Sequence, residues 1–287
     1  MRRWSPGKAG GEVRDRADAR SDDRGGKGMR PVLFHIASHP VYSYGVMLFL
    51  AFLAGIAVAR RELARRGLDG SAAYILGAVA AVSGVLGARL FYVLGHLDEF
   101  SGDWGGVIDL NMRGLVYYGG LALAVPACLL AVRRLGLPAG EAADAVGLAL
   151  PLSLAIARVG CFLNGCCGGK PSGLPWAVTF PGTATPVHPT QLYEMLMDLA
   201  LFGLLLWARK RLRRGWDLFL LSLAGYGLVR FLNEFFRVHA DARARLFFQL
   251  LSLALVSGAS LAAFLRERDA REREAVSVQG GEAGDGA

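Results

Sequence analysis

Residues 142–164 read AADAVGLALPLSLAIARVGCFLN, an apolar run in which Asp144 and Arg158 are the charged side chains. A helix needs about 20 such residues to cross the hydrocarbon core of a bilayer. The run also carries glycines, which allow membrane helices to pack closely. This segment therefore predicts a membrane-spanning helix.

Six further runs have comparable length and polarity. They cover residues 43–60, 72–94, 114–132, 191–208, 216–234 and 246–265. The chain of 287 residues is 53% hydrophobic and 20% charged, which is too apolar for an ordinary soluble domain of this size. The sequence predicts an all-α membrane protein with about seven transmembrane helices.

Lysine and arginine predict the orientation, because cytoplasmic loops hold an excess of both. Fifteen follow the odd-numbered spans, whereas the opposite loops carry five. The N-terminus is therefore expected outside and the C-terminus in the cytoplasm, with periplasmic loops near 95–113, 165–190 and 235–245. The formal net charge of +8 lies in short clusters between apolar runs, which favours this topology over nucleic-acid binding.

The two ends of the chain differ in composition from its body. Residues 1–38 are expected to form a disordered N-terminal tail, since their first part is charged and glycine-rich and lacks the apolar stretch of a signal peptide. Translation from Met29 is an open alternative, and it would remove six arginines that the predicted topology places outside. Residues 39–266 are the expected seven-helix domain, and residues 267–287 a disordered cytoplasmic tail.

Charged side chains inside the spans indicate a binding site, because each costs on the order of 2.5–3.5 kcal/mol without a partner. They are Arg89, Arg158, Glu194, Arg230 and Glu234. Arg89 could instead reach the headgroups along its own stem. Arg230 and Glu234 are four residues apart on one helix face and could neutralise each other.

Arg158 has no carboxylate within one turn of its own span, and Asp144, near the inner surface, fits a helix-start residue better than a partner. A membrane offers phospholipid phosphate as an anion, and guanidinium binds phosphate with two parallel hydrogen bonds. We therefore expect a phosphate site at Arg158.

His188 precedes Pro189 at the start of the next span and is either a site residue or a residue of the helix cap.

Four segments in fixed order carry a family resemblance. HPVYSYGVML (39–48) contains Tyr44, GARLFYVL (87–94) contains Arg89, and HPTQLYE (188–194) and YGLVRFLNEFFR (226–237) follow. Together they resemble the prolipoprotein diacylglyceryl transferase family over residues 39–237. The fold of that family, a seven-helix membrane body with a periplasmic portion, agrees with the topology expected above.

The family signature between residues 157 and 169 is only partly present. Arg158, Gly160, Phe162, Asn164 and Gly169 fit it, while Ala157 replaces a glycine, Cys161 an asparagine and Cys166 a glutamate. A further departure is Tyr118, at the position where the family usually has a histidine with a catalytic role. An ordinary tyrosine keeps its proton at neutral pH, so Tyr118 is expected to donate a hydrogen bond to the leaving group.

The resemblance implies transfer of sn-1,2-diacylglycerol from phosphatidylglycerol to the thiol of a lipobox cysteine in a prolipoprotein signal peptide, at the bacterial inner membrane. The implied catalytic residues are Tyr118, Arg158, Arg230 and His188. The implied substrate-binding residues are Tyr44, Arg89, Asn164, Gly169, Glu194, Tyr226 and Glu234, with His188 and Glu194 forming a second polar cluster. Neither the residues nor the resemblance implies a cofactor or a metal.

Two questions stay open at the level of sequence. Cys161, Cys166 and Cys167 could be packing residues, a disulfide, or reactive thiols or metal ligands, whereas Cys128 is expected to be a packing residue. The departures from the signature also leave room for a related lipid transferase with another acceptor. A phospholipid-binding membrane protein without catalysis is the alternative from a different class.

Overall fold

The computed structural model describes residues 29–36, 39–100, 116–181, 183–212, 214–238 and 242–284. The predicted tail before Met29, most of the predicted loop at 95–113 and the start of the span at 114–132 lie outside these ranges. So do Arg113 and Arg213, which were counted for the orientation.

An antiparallel hairpin precedes the first helix. Strand β1 (Val32–Ile36) pairs with β2 (His39–Tyr42), and Ile36 lies opposite His39. Met29 is buried against Phe180 and Val187 of a later loop. The hairpin thus lies within the segment that was expected to be a tail, and the burial of Met29 depends on a loop about 150 residues away in the chain.

Seven long helices and one short helix follow in the described part of the chain. They are α1 (Ser43–Arg65), α2 (Ala72–Gly95), α3 (Leu97–Phe100), α4 (Tyr117–Arg134), α5 (Ala139–Leu163), α6 (Thr190–Ala208), α7 (Asp217–Glu234) and α8 (Ala242–Gly284). Each long helix covers one of the apolar runs, so the all-α prediction is confirmed.

Five of the long helices are long and apolar enough to cross a membrane. Four are α1, α2, α5 and α6, and the fifth is residues Arg245–Asp269 of α8. Helix α4 contains Pro126 and ends in Arg133 and Arg134, and α7 carries Asp217, Arg230 and Glu234 within 18 residues. In the described part of the chain, α4 and α7 therefore do not meet the requirement of length and composition that the other five long helices meet.

Helix α8 continues without a break past residue 266, where the sequence predicted that the membrane domain ends. Its backbone is helical to Gly284, within the segment 267–287 that was expected to be a cytoplasmic tail. Residues 266–275 read RERDAREREA, and arginine, glutamate and alanine are strong helix formers. Local propensity therefore favours continuing the helix through this charged segment.

Helix α5 lies at the centre of the bundle and packs against α1, α6 and α7, whereas α2 packs against α4 and α8 against α7. Gly147 of α5 allows the close approach of α7. A Cβ atom at Gly147 would lie 2.7 Å from the Cα of Phe219. The glycines of this run do allow the close helix packing that the sequence predicted.

A charged network joins three helices at the end of the bundle where α1 and α6 terminate. Glu62 is fully buried, and its Oε1 accepts a hydrogen bond from Arg66 Nε at 2.9 Å. Arg65 Nε and Arg209 Nη1 lie 2.8 and 3.5 Å from Glu62 Oε2. Arg66 Nη2 also lies 2.8 Å from Asp144 Oδ2. Asp144 thus forms its ion pair near the start of α5. This agrees with the sequence analysis, which did not expect Asp144 to pair with Arg158.

Glu62→Gln is expected to lower the free energy of unfolding by about 3 kcal/mol, because it leaves clustered guanidinium groups without their buried counter-charge. Thermal unfolding in detergent measures this loss. Asp69→Asn is the control, since the Asp69 side chain is exposed and, among the described residues, accepts hydrogen bonds from Ser71 two residues later. Equal melting temperatures for the two variants would contradict a stabilising role for the network.

Candidate functional site

A buried carboxylate on α6 lies at the centre of a second charged cluster. Glu194 is fully buried and accepts hydrogen bonds from Arg158 Nη2 at 2.7 Å, Arg230 Nη1 at 3.1 Å and Asn233 Nδ2 at 2.6 Å. Arg158 lies in the last two turns of α5, and the other two donors lie near the end of α7. The cluster therefore joins the ends of three helices, opposite to the end that holds Glu62.

Arg158 has a protein counter-charge that its own span did not reveal. The sequence showed no carboxylate within one turn, and the partner is Glu194, 36 residues later in the chain. A guanidinium has five N–H donors, so Arg158 retains donors after bonding Glu194. Its side chain is 18% exposed, which leaves it accessible to an anion.

Arg230 contacts two carboxylates. One is Glu194, and the other is Glu234 one turn along α7, as the four-residue spacing predicted. Arg237 Nε adds a third guanidinium 3.6 Å from Glu234 Oε1. Three guanidinium groups thus share two carboxylates in these ion pairs.

The loop after α5 is fastened to the start of α6. Thr190 Oγ1 donates to the carbonyl oxygen of Cys167 at 2.7 Å, and Gln191 Nε2 donates to that of Cys166 at 2.5 Å. Thr190 and Gln191 are both 1% exposed. Because these buried donors hold two successive carbonyls, the cysteine segment has a defined position beside the Glu194 cluster.

The thiols of Cys161, Cys166 and Cys167 lie within 4.8 Å of one another, and all four cysteines of the chain are free. Cys161 Sγ lies 3.9 Å from Arg158 Nη1, so the thiols adjoin the charged cluster. Hydrogen bonds from the other two thiols hold the pKa of Cys166 well below that of an ordinary cysteine. These three positions thus hold free thiols and no disulfide. The three thiols form one group and are not separate packing residues.

Tyr44, Tyr226 and Asn164 lie around the same end of α5. Tyr44 packs against Gly160 and interacts electrostatically with Arg158 and the thiols. Tyr226 of α7 interacts with Arg158, Arg230 and Glu194. Asn164 follows the last residue of α5, and its side chain hydrogen-bonds Cys166. The structure therefore groups these three predicted binding residues with the arginines.

Gly169 allows the loop to pack directly on the end of α7. A Cβ atom there would lie 2.4 Å from the carbonyl oxygen of Phe236, and the Gly169 backbone N–H donates to His188 O at 2.9 Å. Next to it, the backbone N–H of Lys170 donates to the same Phe236 carbonyl at 2.8 Å, and Lys170 Nζ donates to Phe235 O at 2.7 Å. The lack of a side chain at Gly169 is thus required by the close backbone approach.

Gly169→Ala is expected to lower the free energy of unfolding by about 1–3 kcal/mol, because the added methyl group forces the loop away from α7. Gly173→Ala is the matched control in the same loop, where a Cβ atom would meet nothing within 4 Å. Melting temperatures of both variants in one detergent measure the difference. A Gly169→Ala protein as stable as the control would contradict the close approach.

His188 lies in an aromatic group separate from Glu194. Its Nδ1 is 3.2 Å from Tyr193 Oη, and its ring centroid is 5.2 Å from that of Phe236. Trp176 Nε1 donates to the same tyrosine oxygen at 2.8 Å. These contacts of His188 do not include Glu194. His188 precedes the first turn of α6, whereas Glu194 lies on the face of α6 that α5 and α7 cover.

Tyr118 and Arg89 belong to a different pair of helices. Tyr118, on the first turn of α4, is 65% exposed, and α4 packs against α2. The guanidinium of Arg89 lies over the rings of Tyr92 and Phe100, 5.5 and 5.6 Å from their centroids. In the described part of the chain, the carboxylates that pair with Arg158 and Arg230 lie on α6 and α7 and not on α2 or α4.

Asp198 and Asn233 are polar residues of this region that sequence reasoning missed. Asp198 is fully buried one turn after Glu194, and neither carboxylate oxygen has a hydrogen-bond partner among the described residues. Asn233 is also fully buried and bonds Glu194. The four-residue spacing from Glu194 to Asp198 was the available signal, since such residues share one helix face.

Comparison with known proteins adds an independent finding. The family model described as prolipoprotein diacylglyceryl transferase matches residues 31–265. Three similar proteins are phosphatidylglycerol–prolipoprotein diacylglyceryl transferases of Bordetella avium, Methylobacillus flagellatus and Methylocella silvestris, at 36%, 36% and 34% identity. The matches cover 72%, 79% and 84% of this chain and 81%, 89% and 95% of those proteins.

Proposed function

The chain belongs to the prolipoprotein diacylglyceryl transferase family, and on that premise we propose that it transfers sn-1,2-diacylglycerol from phosphatidylglycerol to the lipobox cysteine of a prolipoprotein. The observation that carries the proposal is the cluster in which Arg158 and Arg230 share the buried Glu194. Both arginine side chains are 18% exposed. The cluster thus offers fixed guanidinium donors that an anionic headgroup can reach.

At the glyceryl carbon the reaction forms one bond and breaks one bond. The acceptor thiol loses its proton, its sulfur attacks the glyceryl carbon, and the bond from that carbon to the phosphate oxygen breaks. The electron pair leaves with the phosphate as glycerol 1-phosphate, and the thiol proton passes to solvent or to the released phosphate. The protein must therefore stabilise negative charge on the departing oxygen, which preorganised donors do well in a site from which water is excluded.

Glu194 has a positioning role in this proposal. It fixes one nitrogen of Arg158 and one of Arg230, so the two guanidinium planes keep their remaining donors in constant positions. Asn233 completes the hydrogen bonds of the same carboxylate. Tyr44, Tyr226 and Asn164 surround the cluster and supply neutral hydrogen-bonding groups for glycerol and phosphate oxygens. Gly169 holds the loop, and Glu234 holds Arg230.

Tyr118, Arg89 and His188 lie outside the Glu194 cluster and have separate proposed roles. Tyr118 donates a hydrogen bond to the leaving group, Arg89 binds substrate, and His188 contacts the second substrate. Tyr118 is exposed at one end of α4 and would donate a hydrogen bond. His188, with Tyr193 and Trp176, forms a polar and aromatic surface at the same end of the bundle as the cluster. We assign this surface to the lipobox peptide, because the peptide must bring its thiol next to the bound phospholipid.

We further propose that all seven long helices cross a bacterial inner membrane, with the N-terminus outside. The excess of lysine and arginine at the ends of the first, third, fifth and seventh long helices, which are α1, α4, α6 and α8, supports this orientation. Helices α4 and α7 would then span the membrane in spite of their polar residues. In α7 these residues face protein partners, since Arg230 and Glu234 are paired and Glu234 is fully buried.

The deciding experiment is an in vitro transfer assay with purified protein, phosphatidylglycerol labelled in its acyl chains, and a lipobox peptide. We expect label on the cysteine-containing peptide and release of glycerol 1-phosphate. A lipobox peptide with serine in place of cysteine is the control and is expected to stay unlabelled. Protein that binds phosphatidylglycerol without labelling the peptide would overturn the proposal in favour of another acceptor or a non-catalytic lipid-binding role.

A further inference from the structure

Three cysteines, two of which replace other residues of the family signature, meet at one point in this structure. Cys161 stands in place of asparagine and Cys166 in place of glutamate, and Cys167 follows directly. Their sulfur atoms lie within 4.8 Å of one another. The reaction proposed above uses none of these thiols, since the acceptor peptide supplies the nucleophilic sulfur. The proposed transfer reaction therefore gives this group of thiols no role.

We propose that Cys161, Cys166 and Cys167 form a three-thiolate site for a single thiophilic metal ion, for which zinc is the best match. Zinc–sulfur bonds of about 2.3 Å with tetrahedral angles place the ligand sulfur atoms roughly 3.8 Å apart. The observed spacing reaches this value through shifts of about an ångström. Soft thiolate ligands select zinc and copper(I) over magnesium or calcium.

The backbone positions the three thiols before any metal arrives. Cys161 lies in the last turn of α5, and the chain reverses at Gly165 and Cys167, which have φ angles of +71° and +66°. A positive φ is uncommon for a residue with a side chain, so the fold holds Cys167 in a conformation that cysteine does not prefer. The buried Thr190 and Gln191 fix the carbonyl groups of Cys167 and Cys166. The site is thus built by the tertiary structure.

The surrounding charge fits a metal–thiolate group. Three thiolates and one divalent cation carry one net negative charge, and Arg158 Nη1 lies 3.9 Å from the sulfur of Cys161. The guanidinium therefore balances the charge that the occupied site would carry. Three protein ligands leave one of the four tetrahedral positions of zinc for water or another small ligand, as in zinc sites with an open position.

Zinc retention by the reduced, purified full chain tests this proposal. After incubation with zinc chloride and dialysis, we expect one zinc per chain, and with cobalt(II) chloride we expect sulfur-to-cobalt charge-transfer absorption. Separate Cys161→Ser, Cys166→Ser and Cys167→Ser variants are expected to bind zinc about 100-fold more weakly or worse, since even outer-shell changes cost 10–100-fold. Cys128→Ser is the matched control and should bind like the unmodified chain, because Cys128 lies on α4.

A second measurement uses the unmodified chain, so it tests the metal site even if the serine variants fail to fold. Zinc is expected to protect Cys161, Cys166 and Cys167, but not Cys128, from alkylation by N-ethylmaleimide, as read by peptide mass spectrometry. No retained zinc together with unchanged alkylation would overturn the proposal, as would equal protection of Cys128. Neither readout uses the transfer reaction, so the metal site and the proposed function fail independently.

Discussion

Arg158→Ala is expected to lower the rate of diacylglyceryl transfer by about 100- to 1000-fold, the usual cost of removing one preorganised donor from a developing oxyanion. Arg158 is the guanidinium that joins Glu194 to the thiol segment, at 2.7 Å from the carboxylate and 3.9 Å from Cys161 Sγ. Its loss leaves Glu194 with Arg230 and Asn233, so the cluster keeps part of its counter-charge. The effect should therefore fall mainly on catalysis.

Two matched variants separate catalysis from charge and stability. Arg158→Lys keeps the charge but loses the planar pair of donors, so we expect its rate to fall between those of the original and alanine proteins. Arg209→Ala removes an arginine that pairs with Glu62 at the other end of the bundle, and its rate should stay within about twofold, as expected for a residue outside the site. The assay is initial rate at saturating phosphatidylglycerol and peptide. Equal rates for Arg158→Ala and Arg209→Ala would exclude a catalytic role for Arg158.

Glu194→Gln is expected to reduce both stability and transfer. The neutral amide leaves Arg158 and Arg230 partly buried without their shared carboxylate, and breaking a buried ion pair in this way costs about 3–5 kcal/mol. The same change frees both guanidinium groups to turn away, so transfer should fall by more than about tenfold at temperatures where the protein stays folded. Thermal unfolding and transfer rate on one preparation measure the two effects.

Glu141→Gln is the control for that variant. Glu141 lies in the first turn of α5, and no ion pair to it occurs in the part of the chain that the structure describes. Its melting temperature and rate should match those of the unmodified protein. If Glu194→Gln unfolded at the same temperature as this control, Glu194 would not be the shared counter-charge of the two arginines.

Much of the candidate site could be predicted because its residues carry a local signal. A charged side chain within a long apolar run stands out whatever its partner is, and this signal found Arg158, Glu194, Arg230 and Glu234. The spacing of Arg230 and Glu234 also predicted their ion pair, since residues four apart share a helix face. Asp198 and Asn233 were missed, although Asp198 shows the same four-residue spacing from Glu194.

Contacts between distant parts of the chain could not be predicted in this way. Glu194 follows His188 by only six residues, yet Glu194 points between α5 and α7 while His188 contacts Tyr193 and Phe236. The difference arises because the helix begins between them, at Thr190. The partner of Arg158 likewise depends on which face of α6 packs against α5, and periodicity within one span does not report this.

The sequence by itself determined the helical membrane class, the approximate helix limits and the family, because apolar runs of about 20 residues and ordered motifs are local properties of the chain. Only the tertiary structure decided that Arg158 and Arg230 share Glu194, that Met29 is buried under a distant loop, and that three cysteines converge. These features depend on helix packing and on loop backbone angles. Residues that are far apart in the sequence come into contact only after the helices and the loop have packed against one another.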